Sequence, residues 1–380
     1  MLAMRKGWSE TTLGDLCDVR DGTHDSPKQS DIGHPLVTSK NIRDGKVDLS
    51  DVYLISDSDF HEINKRSKVD QFDLLVSMIG TVGEVCFEPN QPSYAIKNVG
   101  LIKTGNELLG RFLLGYLSSR MGQEQIELST SGSTQKFIGL GKLRSLRVLL
   151  PPLEDQKRIV DVVLSVDAYI DALQQQADAA RTARNAVLHE LLSAGSDDRT
   201  ETTLGDIAEA SWGNTTVTKK QYKESGFTAF SASGPDGYVD WFEHDEKGVV
   251  LSAIGALCGK TWLADGKWTP IKNTIWFKSK SQECLTEYLF LVSKTPNLWP
   301  IRGQAQPFIS LGDVRLVEVS LPPLLEQKRI VELVTSMDDV IQTTEQAVAD
   351  TKNLRSGLLS DLLSGEHEIP ASYDVFLGAA

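Results

Sequence analysis

One segment of the sequence comes close to a phosphate-binding loop. Residues 255–261 read GALCGKT and follow an apolar stretch that predicts a strand. A nucleotide-binding loop of this kind has about four residues between its two glycines, whereas Gly255 and Gly259 enclose one fewer. We therefore interpret the segment as a tight turn between two strands, because the spacing does not fit a nucleotide site.

Metal and nucleophile chemistry has little support among the cysteines and histidines. The four cysteines, Cys17, Cys86, Cys258 and Cys284, form no CxxC pair and no cluster with histidine. The six histidines are scattered, without the spacing of metal ligands or of a catalytic pair. We expect no catalytic residue and no metal ligand, and free thiols fit a reducing cytoplasm.

Base methylation is the third chemistry that the motifs fail to support. Amino-methylation of adenine or cytosine needs Asn or Asp, then Pro-Pro and an aromatic residue, to hold the flipped base. The Pro-Pro pairs at 151–152 and 322–323 are flanked by leucine on both sides. We therefore predict that the chain is not an enzyme. A stand-alone methyltransferase is a further alternative, which S-adenosylmethionine binding by the isolated chain would revive.

Candidate nucleic-acid contacts lie in polar segments that carry cations. Hydroxyl, amide and cationic side chains of this kind contact phosphates and base edges. Two of the segments, 129–136 and 302–306, align with each other. Solvated polar turns are the alternative interpretation for any single residue. The candidate DNA-binding residues are Lys40, Asn41, Arg43, Lys65, Arg66, Lys68, Ser131, Ser133, Thr134, Gln135, Lys136, Lys219, Lys220, Arg302, Gln304 and Gln306.

A repeated segment predicts the elements that position these loops. Residues 150–160 read LPPLEDQKRIV, and residues 321–331 read LPPLLEQKRIV. Each copy predicts the start of a long helix, because Pro-Pro ends the preceding strand and acidic residues suit a helix N-terminus. Each helix is expected to stop at a glycine, Gly195 or Gly365. A shorter repeat, Thr-Leu-Gly-Asp, stands near the start of each globular part of the chain, at residues 12–15 and 203–206.

Apolar residues recur inside both predicted helices at alternating steps of three and four. The pattern persists for about four and a half heptads and is typical of a coiled coil. A pair formed by the two helices is favoured over a lone helix packed on its own domain. An antiparallel pair is favoured over a parallel one, because a parallel pair would crowd both globular parts at one end. The predicted seam residues are Ile159, Val163, Val166, Ile170, Leu173 and Arg184 in the first helix, and Ile330, Val334, Met337, Ile341, Arg355 and Leu358 in the second.

The predicted fold class is α/β (α+β). We expect two mixed α/β domains separated by two long helices, which form an antiparallel coiled coil with pseudo-two-fold symmetry. The predicted segments are a first domain at 1–150, a first spacer helix at 151–195, a second domain at 196–320, a second spacer helix at 321–365 and a tail at 366–380. Strand candidates are 74–79, 83–87, 146–150, 248–254, 274–277 and 314–321, and short helices are expected at 108–118 and 285–293.

The net charge of −13 at first argues against a nucleic-acid partner. Segments 1–150 and 201–320 carry only −1 and −2, whereas 151–200 and 321–380 carry −4 and −6. The two near-neutral domains can therefore turn a basic face to DNA, and the acidic helices suit a protein partner. No apolar run approaches the roughly 18–20 residues of a membrane span, so we expect a cytoplasmic protein.

Taken together and in this order, the repeated motifs resemble the specificity subunits of type I restriction-modification systems. The resemblance covers nearly the full length of the chain. It implies that each globular segment is a target recognition domain that reads one half of a bipartite site in double-stranded DNA. It also implies that the helices space the two domains and dock two modification subunits.

The same resemblance implies that the chain itself carries no cofactor. S-adenosylmethionine would lie on the modification subunits, which methylate adenine at N6, and ATP and Mg would lie on restriction subunits where these are present. The chain would then be a non-catalytic subunit of a methyltransferase and endonuclease complex. A coiled-coil scaffold that recruits partners without reading DNA is the alternative. The tail at 366–380 has no counterpart in the first half and no assigned role.

Overall fold

The computed structural model describes residues 7–43, 45–132, 135–193, 198–364, 370 and 372. It divides into two compact units, of which the first comprises residues 1–173 and 346–380 and the second comprises residues 174–345. Each unit therefore contains one globular part, half of one long helix and the opposite half of the other. Most of the predicted tail lies outside the described residues.

The first globular part is a mixture of short strands and helices. A 3-10 turn at Ser39–Asn41 follows its third strand. Its elements in chain order, followed by the first long helix, are β1 (Ser9–Thr12), α1 (Leu13–Leu16), β2 (Asp18–Asp21), β3 (His34–Thr38), β4 (Ile42–Arg43), β5 (Lys46–Val47), β6 (Leu54–Ile55), α2 (Asp57–Ser67), β7 (Leu74–Ser77), β8 (Val85–Phe87), β9 (Ala95–Lys97), β10 (Val99–Lys103), α3 (Glu107–Ser118), α4 (Arg120–Ser129), α5 (Leu140–Arg144), β11 (Arg147–Leu150) and α6 (Leu153–Ser193).

The second globular part repeats much of this sequence of elements. A 3-10 turn at Lys219–Gln221 precedes its third strand. Its elements, followed by the second long helix, are β12 (Thr200–Thr203), α7 (Leu204–Ile207), β13 (Ala208–Trp212), β14 (Phe227–Ser231), β15 (Gly234–Val239), β16 (His244–Asp245), β17 (Gly248–Ser252), β18 (Thr261–Ala264), β19 (Lys267–Pro270), β20 (Thr274–Ser279), α8 (Thr286–Val292), α9 (Leu311–Arg315), β21 (Glu318–Leu321) and α10 (Leu324–Ser364).

The first unit packs small sheets around one main core. Strands β1 and β11 pair antiparallel, and a four-stranded antiparallel sheet has the order β2-β10-β7-β8. A third sheet has the order β6-β3-β9, in which β3 and β9 are parallel. Every residue of β7 is buried, which explains why its sequence is continuously apolar up to Ser77 instead of alternating. The core also includes Ile159 of α6 and Leu359 of α10.

The second unit repeats the two-stranded and four-stranded sheets of the first, whereas its third sheet has four strands instead of three. Strands β12 and β21 pair antiparallel, and the four-stranded sheet has the order β13-β20-β17-β18. In the third sheet, β15-β14-β19-β16, strands β14 and β19 are parallel as β3 and β9 are. Leu188 of α6 and Ile330 of α10 join the core of this unit. The predicted mixed α/β architecture with an internal repeat is confirmed in both units.

The repeated sequence motif has a structural explanation at the start of each long helix. Gln156 and Gln327 are 4% and 0% exposed. The side-chain amide of each donates to the carbonyl oxygen of the first proline of its motif, Pro151 or Pro322, at 2.8 Å in both cases. Because a buried amide needs its hydrogen bonds, the glutamine ties the first turn of the helix to the extended Pro-Pro segment.

The two long helices pair as the heptad pattern predicted, and they run antiparallel, as the placement of the two globular parts predicted. In the first unit Arg355 of α10 forms an ion pair with Asp167 of α6. In the second unit Arg184 of α6 binds Asp338 of α10 through two hydrogen bonds of 2.9 Å. All predicted seam residues are buried or half-buried. The two seam arginines do not interrupt the pairing, because each guanidinium reaches a carboxylate of the partner helix.

Several local predictions differ from the structure. The predicted strand at 314–321 is wrong in its first part, because Val314 and Arg315 end helix α9 and the strand begins at Glu318. Helices α2 and α4 had no counterpart among the predicted elements. Both begin with a serine whose side chain accepts an amide hydrogen bond, Ser56 in α2 and Ser119 in α4, which is the usual preference at this position.

Candidate nucleic-acid interface

Two turns with the same backbone construction lie at equivalent places in the two units. Turn 1 comprises residues 131–138 and turn 2 comprises residues 302–309. In each turn the first and the seventh residue donate an amide hydrogen bond to each other's carbonyl oxygen, at 2.9 Å twice in turn 1 and at 2.9 and 2.8 Å in turn 2. The alignment of the two loops is thereby confirmed. The paired residues are Ser131 with Phe137 and Arg302 with Phe308.

Each turn is also bonded to the segment that follows a central strand of its unit. These strands are β7 in the first unit and β17 in the second. Two backbone hydrogen bonds of 2.9 to 3.0 Å fix each turn, so its backbone is held by the buried sheet. Side chains on a supported backbone are presented at defined positions. The donors and acceptors are Gly80 to Lys136, Ile138 to Met78, Gly255 to Pro307 and Ile309 to Ala253.

The segment that resembled a phosphate loop belongs to this support. Residues 255–261 connect β17 to β18, and no helix follows the glycines as a phosphate loop requires. Gly255 and Gly259 have φ angles of +111° and +93°, which glycine adopts without strain. The interpretation as a turn between strands is confirmed, and its role is to donate the Gly255 amide to turn 2.

A glycine with positive φ is required in both turns. Gly132 and Gly303 have φ angles of +100° and +80°. A Cβ atom on Gly132 would lie 2.2 Å from the carbonyl oxygen of Gln135, and one on Gly303 would lie 2.6 Å from that of Gln306. Any other residue would therefore strain the backbone and collide with it.

The polar side chains that the structure describes in the two turns face solvent. Ser131, Gln135 and Lys136 are exposed in turn 1, and Lys136 has no ion pair among the described residues. In turn 2 Gln304 and Gln306 are exposed. These amides have the geometry that pairs with adenine, and the lysine suits phosphate or guanine. The predicted contacts Ser133 and Thr134 lie outside the described residues.

Among the candidates of turn 2, Arg302 has an ion-pair partner outside the turn. Its guanidinium lies 2.5 Å from the carboxylate of Asp313 and remains 61% exposed. Asp313 stands in the first turn of α9, where Ser310 caps the helix. The ion pair directs the arginine along the turn and leaves several of its donors free for a phosphate or a base.

The prediction that Asn41, in the turn after β3, contacts DNA is wrong. Asn41 is 3% exposed, and its Oδ1 accepts from the amide of Thr38 at 3.0 Å. Its amide nitrogen donates to the carbonyl oxygens of Asp48 and Asp51. A side chain held in this way shapes the turn and is not available to DNA, because its hydrogen-bonding groups are already occupied.

The two cations predicted beside Asn41 are exposed. Lys40 lies 3.0 Å from the carboxylate of Asp51. The Nε of Arg43 donates to the carbonyl oxygen of Lys40 at 2.8 Å, which leaves the terminal nitrogens of the guanidinium on the surface. Both remain candidates for phosphate contact.

The cation cluster at 65–68 is placed differently from the sequence prediction. Lys65 and Arg66 lie in the last turn of helix α2 instead of in a loop. Every cation of the cluster has an acidic partner, so a phosphate would have to compete with a carboxylate. The pairs are Lys65 with Glu62 at 2.5 Å, Arg66 with Asp21 and Lys68 with Asp70 at 2.6 Å.

The two lysines of the second unit differ in availability. Lys219 pairs with Asp236, whose carboxylate also accepts from the hydroxyls of Tyr222 and Ser231. Partial burial of Asp236 opposes its ionisation, but the hydrogen bonds from Lys219, Ser231 and Tyr222 outweigh it and hold the pKa below its usual value. Lys220 is exposed and has no ion pair among the described residues, so it is the stronger candidate for a phosphate.

Within the described residues, no group of three or more His, Cys, Asp and Glu side chains is arranged to hold a metal ion. In the same part of the chain, no helix is both long and apolar enough to cross a membrane.

Residues 5–180 and 197–350 match the family described as the type I restriction modification DNA specificity domain. Over 94% of its length the chain is 22% identical to a putative type I restriction enzyme MjaX specificity subunit of Methanocaldococcus jannaschii, and the match spans 93% of that protein. It is 29% identical to the type I restriction enzyme EcoBI specificity subunit of Escherichia coli over 49% of this chain and 40% of that subunit.

Solved structures with the same fold give a consistent result. The S subunit of a type I restriction-modification system from M. genitalium superposes with a TM-score of 0.57 at 16% identity, covering 97% of this chain and 99% of that one. A second structure, from a study of complex assembly and conformational transition of the type I R-M system, has a TM-score of 0.63 at 18% identity. It covers 96% of this chain and 99% of that one.

Proposed function

Because the chain belongs to the type I restriction modification DNA specificity domain family, we propose that it is the DNA sequence-specificity subunit of a type I restriction-modification complex. Each unit reads one half of a bipartite site in double-stranded DNA. The observation that carries this proposal is the pair of turns, which share their backbone hydrogen bonds, their glycine and one glutamine (Gln135 and Gln306). The turns differ at other polar positions, where Ser131 corresponds to Arg302 and Lys136 to Pro307. A common frame with different readers suits two different half-sites.

The surface chemistry of the turns supports DNA as the ligand. Exposed amides in both turns can pair with base edges, and Lys136, Lys220 and Arg43 can contact phosphates. The near-neutral charge of both globular parts allows these cations to dominate locally, while the acidic excess stays on the helices and the tail. We expect binding to weaken steeply with salt, because each phosphate contact releases counterions.

The long helices dock two modification subunits in this proposal. Their outer surfaces carry large apolar side chains that the pairing leaves exposed, including Tyr169 at 58% on α6 and Leu325 and Val340 at 62% and 55% on α10. Apolar groups on an otherwise acidic surface suit a protein partner better than phosphate.

The chain contributes recognition, and its partners contribute chemistry. In this proposal the two modification subunits bind S-adenosylmethionine and methylate adenine at N6. ATP and Mg act on restriction subunits where the system includes them. The specificity subunit then determines which adenines are reached, because it alone holds the reading turns.

Methylome sequencing of cells that express the chain with its modification subunit tests the proposal. We expect methylated adenines within one bipartite motif, with two defined halves and a spacer of fixed length. Cells that express the modification subunit alone are the control and should show no such motif. Methylation without regard to sequence in the presence of the chain would contradict the proposal.

A coiled-coil scaffold that recruits partners without reading DNA is the second candidate. The exposed apolar groups of the helices fit a scaffold as well as they fit a specificity subunit. A gel shift with modification subunits present separates the two: a scaffold gives no preference between a duplex with the motif and a scrambled duplex. The specificity subunit should bind the motif at least tenfold more tightly, a ratio well below the roughly thousandfold seen for specific complexes.

A further inference from the structure

Each turn contains one exposed aromatic residue that the polar contacts do not explain. Phe137 and Phe308 are 47% and 40% exposed, whereas the residues that follow them, Ile138 and Ile309, are 1% and 0% exposed. The isoleucines are shared because they fill the cores of their units. Core packing does not account for the two phenylalanines, since about half of each ring lies in water.

The two rings are held in the same way. Cδ1 of Phe137 lies 3.4 Å from the position that a Cβ on Gly132 would occupy, and Cδ1 of Phe308 lies 3.5 Å from the equivalent position on Gly303. The edge of each ring thus lies within ordinary contact distance of the glycine of its turn. Because the backbone of each phenylalanine is doubly hydrogen-bonded within its turn, little conformational freedom is lost when the ring meets a ligand.

The neighbours of the rings differ between the turns. Ser131 of turn 1 corresponds to Arg302 of turn 2, and Lys136 corresponds to Pro307. Domains that read different half-sites need different side chains to tell bases apart. A side chain that both turns share, as they share the two phenylalanines and the glutamines Gln135 and Gln306, therefore serves something that the two half-sites have in common.

We propose that Phe137 and Phe308 stack on DNA bases, one ring in each half-site, at a base step that opens in the complex, and that they do so without reading sequence. Every base has a π face, so aromatic stacking tolerates any sequence. Phenylalanine is also among the side chains that insert between base steps and unstack them. This role presupposes the proposed function, because it requires that each unit binds one half-site.

The test uses the complex with modification subunits and duplexes that carry the bipartite motif from methylome sequencing. Stacking on one base is worth ~1–3 kcal/mol, so Phe137→Ala should lower affinity roughly tenfold, and Phe308→Ala should do the same. Phe137→Trp should restore tight binding, because indole stacks as well as phenyl does. The bases of the motif should stay unchanged in both alanine variants.

A scan of abasic duplexes separates stacking from a structural effect. Removing one base at a time should reveal one position in the first half-site where Phe137→Ala costs no further affinity, because the partner of the ring is already missing. Phe308→Ala should behave likewise at one position in the second half-site only. A loss that is equal on every abasic duplex, or a change in the recognised bases, would overturn the proposal.

Phe242 supplies the matched control. It is a phenylalanine of the second unit with 39% exposure, and it lies outside both turns. Phe242→Ala should leave affinity unchanged, and a loss as large as that of Phe308→Ala would refute a role specific to the turns. If the wild-type complex does not prefer the motif over a scrambled duplex, the proposed function itself fails. If it does prefer the motif and the alanine variants bind equally well, only the stacking role fails.

Discussion

The two units share the strand order of their central four-stranded sheet and their turns, but they differ in what covers strands β11 and β21. In the first unit helix α4 follows α3, and the side chain of Gln125 bonds both backbone groups of Arg147 in β11, at 2.8 and 3.2 Å. In the second unit, residues 293–310 are all described and contain no helix. A cavity of about 580 Å³, lined in part by Leu188, Tyr288 and Val319, lies beside β21 instead.

This difference shows which parts of the frame are constrained. The central sheets, the glycine turns and the helix pairing recur in both units, whereas the elements at the periphery vary. The parts that recur are those that hold turn 1 and turn 2 in place.

A buried ion pair in the first unit gives the largest expected contrast. Lys103 ends strand β10 and lies 2.7 Å from Asp73, whose carboxylate is 2% exposed. Lys278 has the same register in β20, but its partners Glu209 and Glu246 are 56% and 50% exposed. Lysines at equivalent positions thus neutralise a buried carboxylate in the first unit and surface carboxylates in the second.

We expect Lys103→Met to lower the free energy of unfolding by about 3 kcal/mol, because it leaves the carboxylate of Asp73 buried without a cation. Lys278→Met should cost about 0–1 kcal/mol, since solvent screens its partners. Chemical denaturation of both variants measures the difference. If both variants lost the same free energy of unfolding, the burial of the carboxylate beside Lys103 would not matter as we expect.

The turn glycines give an intermediate effect, which should be alike in the two units. Gly132→Ala and Gly303→Ala each force a strained backbone conformation in their turn, which costs about 1–3 kcal/mol of conformational free energy. Each should weaken binding to one half-site of the motif and leave the other half unaffected. Gly139→Ala is the control, because its φ is −80° and a Cβ there meets no atom within 4 Å. If both variants bound DNA normally, the claim that each turn needs its glycine would be wrong.

The interhelical ion pairs give the smallest effect. Arg355→Asp should lower the free energy of unfolding by about 1 kcal/mol, because Asp167 is 38% exposed and the pair is partly screened. Arg184→Asp should cost a similar amount through Asp338, which is 49% exposed. Combining Arg355→Asp with Asp167→Arg should recover most of the loss, as thermal unfolding can measure. Failure of this exchange to recover stability would show that the contact does not act through charge.

The sequence predicted the repeated parts of the fold better than the individual contacts. The heptad spacing and the duplicated motif indicated both long helices and their pairing, because such signals are local and extend over many residues. The antiparallel direction followed from the need to keep the two globular parts apart. Helix α2 was missed because its sequence, DSDFHEINKRS, is polar apart from Phe60 and Ile63. The loop prediction for Lys65 and Arg66 failed for the same reason.

The candidate DNA contacts were harder to predict, because whether a side chain is free to contact DNA depends on residues that are distant in the sequence. Arg66 is paired with Asp21, which lies 45 positions earlier in the chain. Asn41 has the residue type of a base reader, and only the folded turn shows that its amide is buried. The match between Phe137 and Phe308 is present in the sequence, but exposure had to be seen before the rings became candidates.

Exchange of one globular part tests the central claim most directly. Residues 14–150 are replaced by the equivalent segment of a relative whose motif is known, and the methylome is sequenced with the same modification subunit. We expect one half of the bipartite motif to become that of the relative, while the other half and the spacer length stay as in the wild type. A change in both halves, or in neither, would contradict the claim that each unit reads its own half-site.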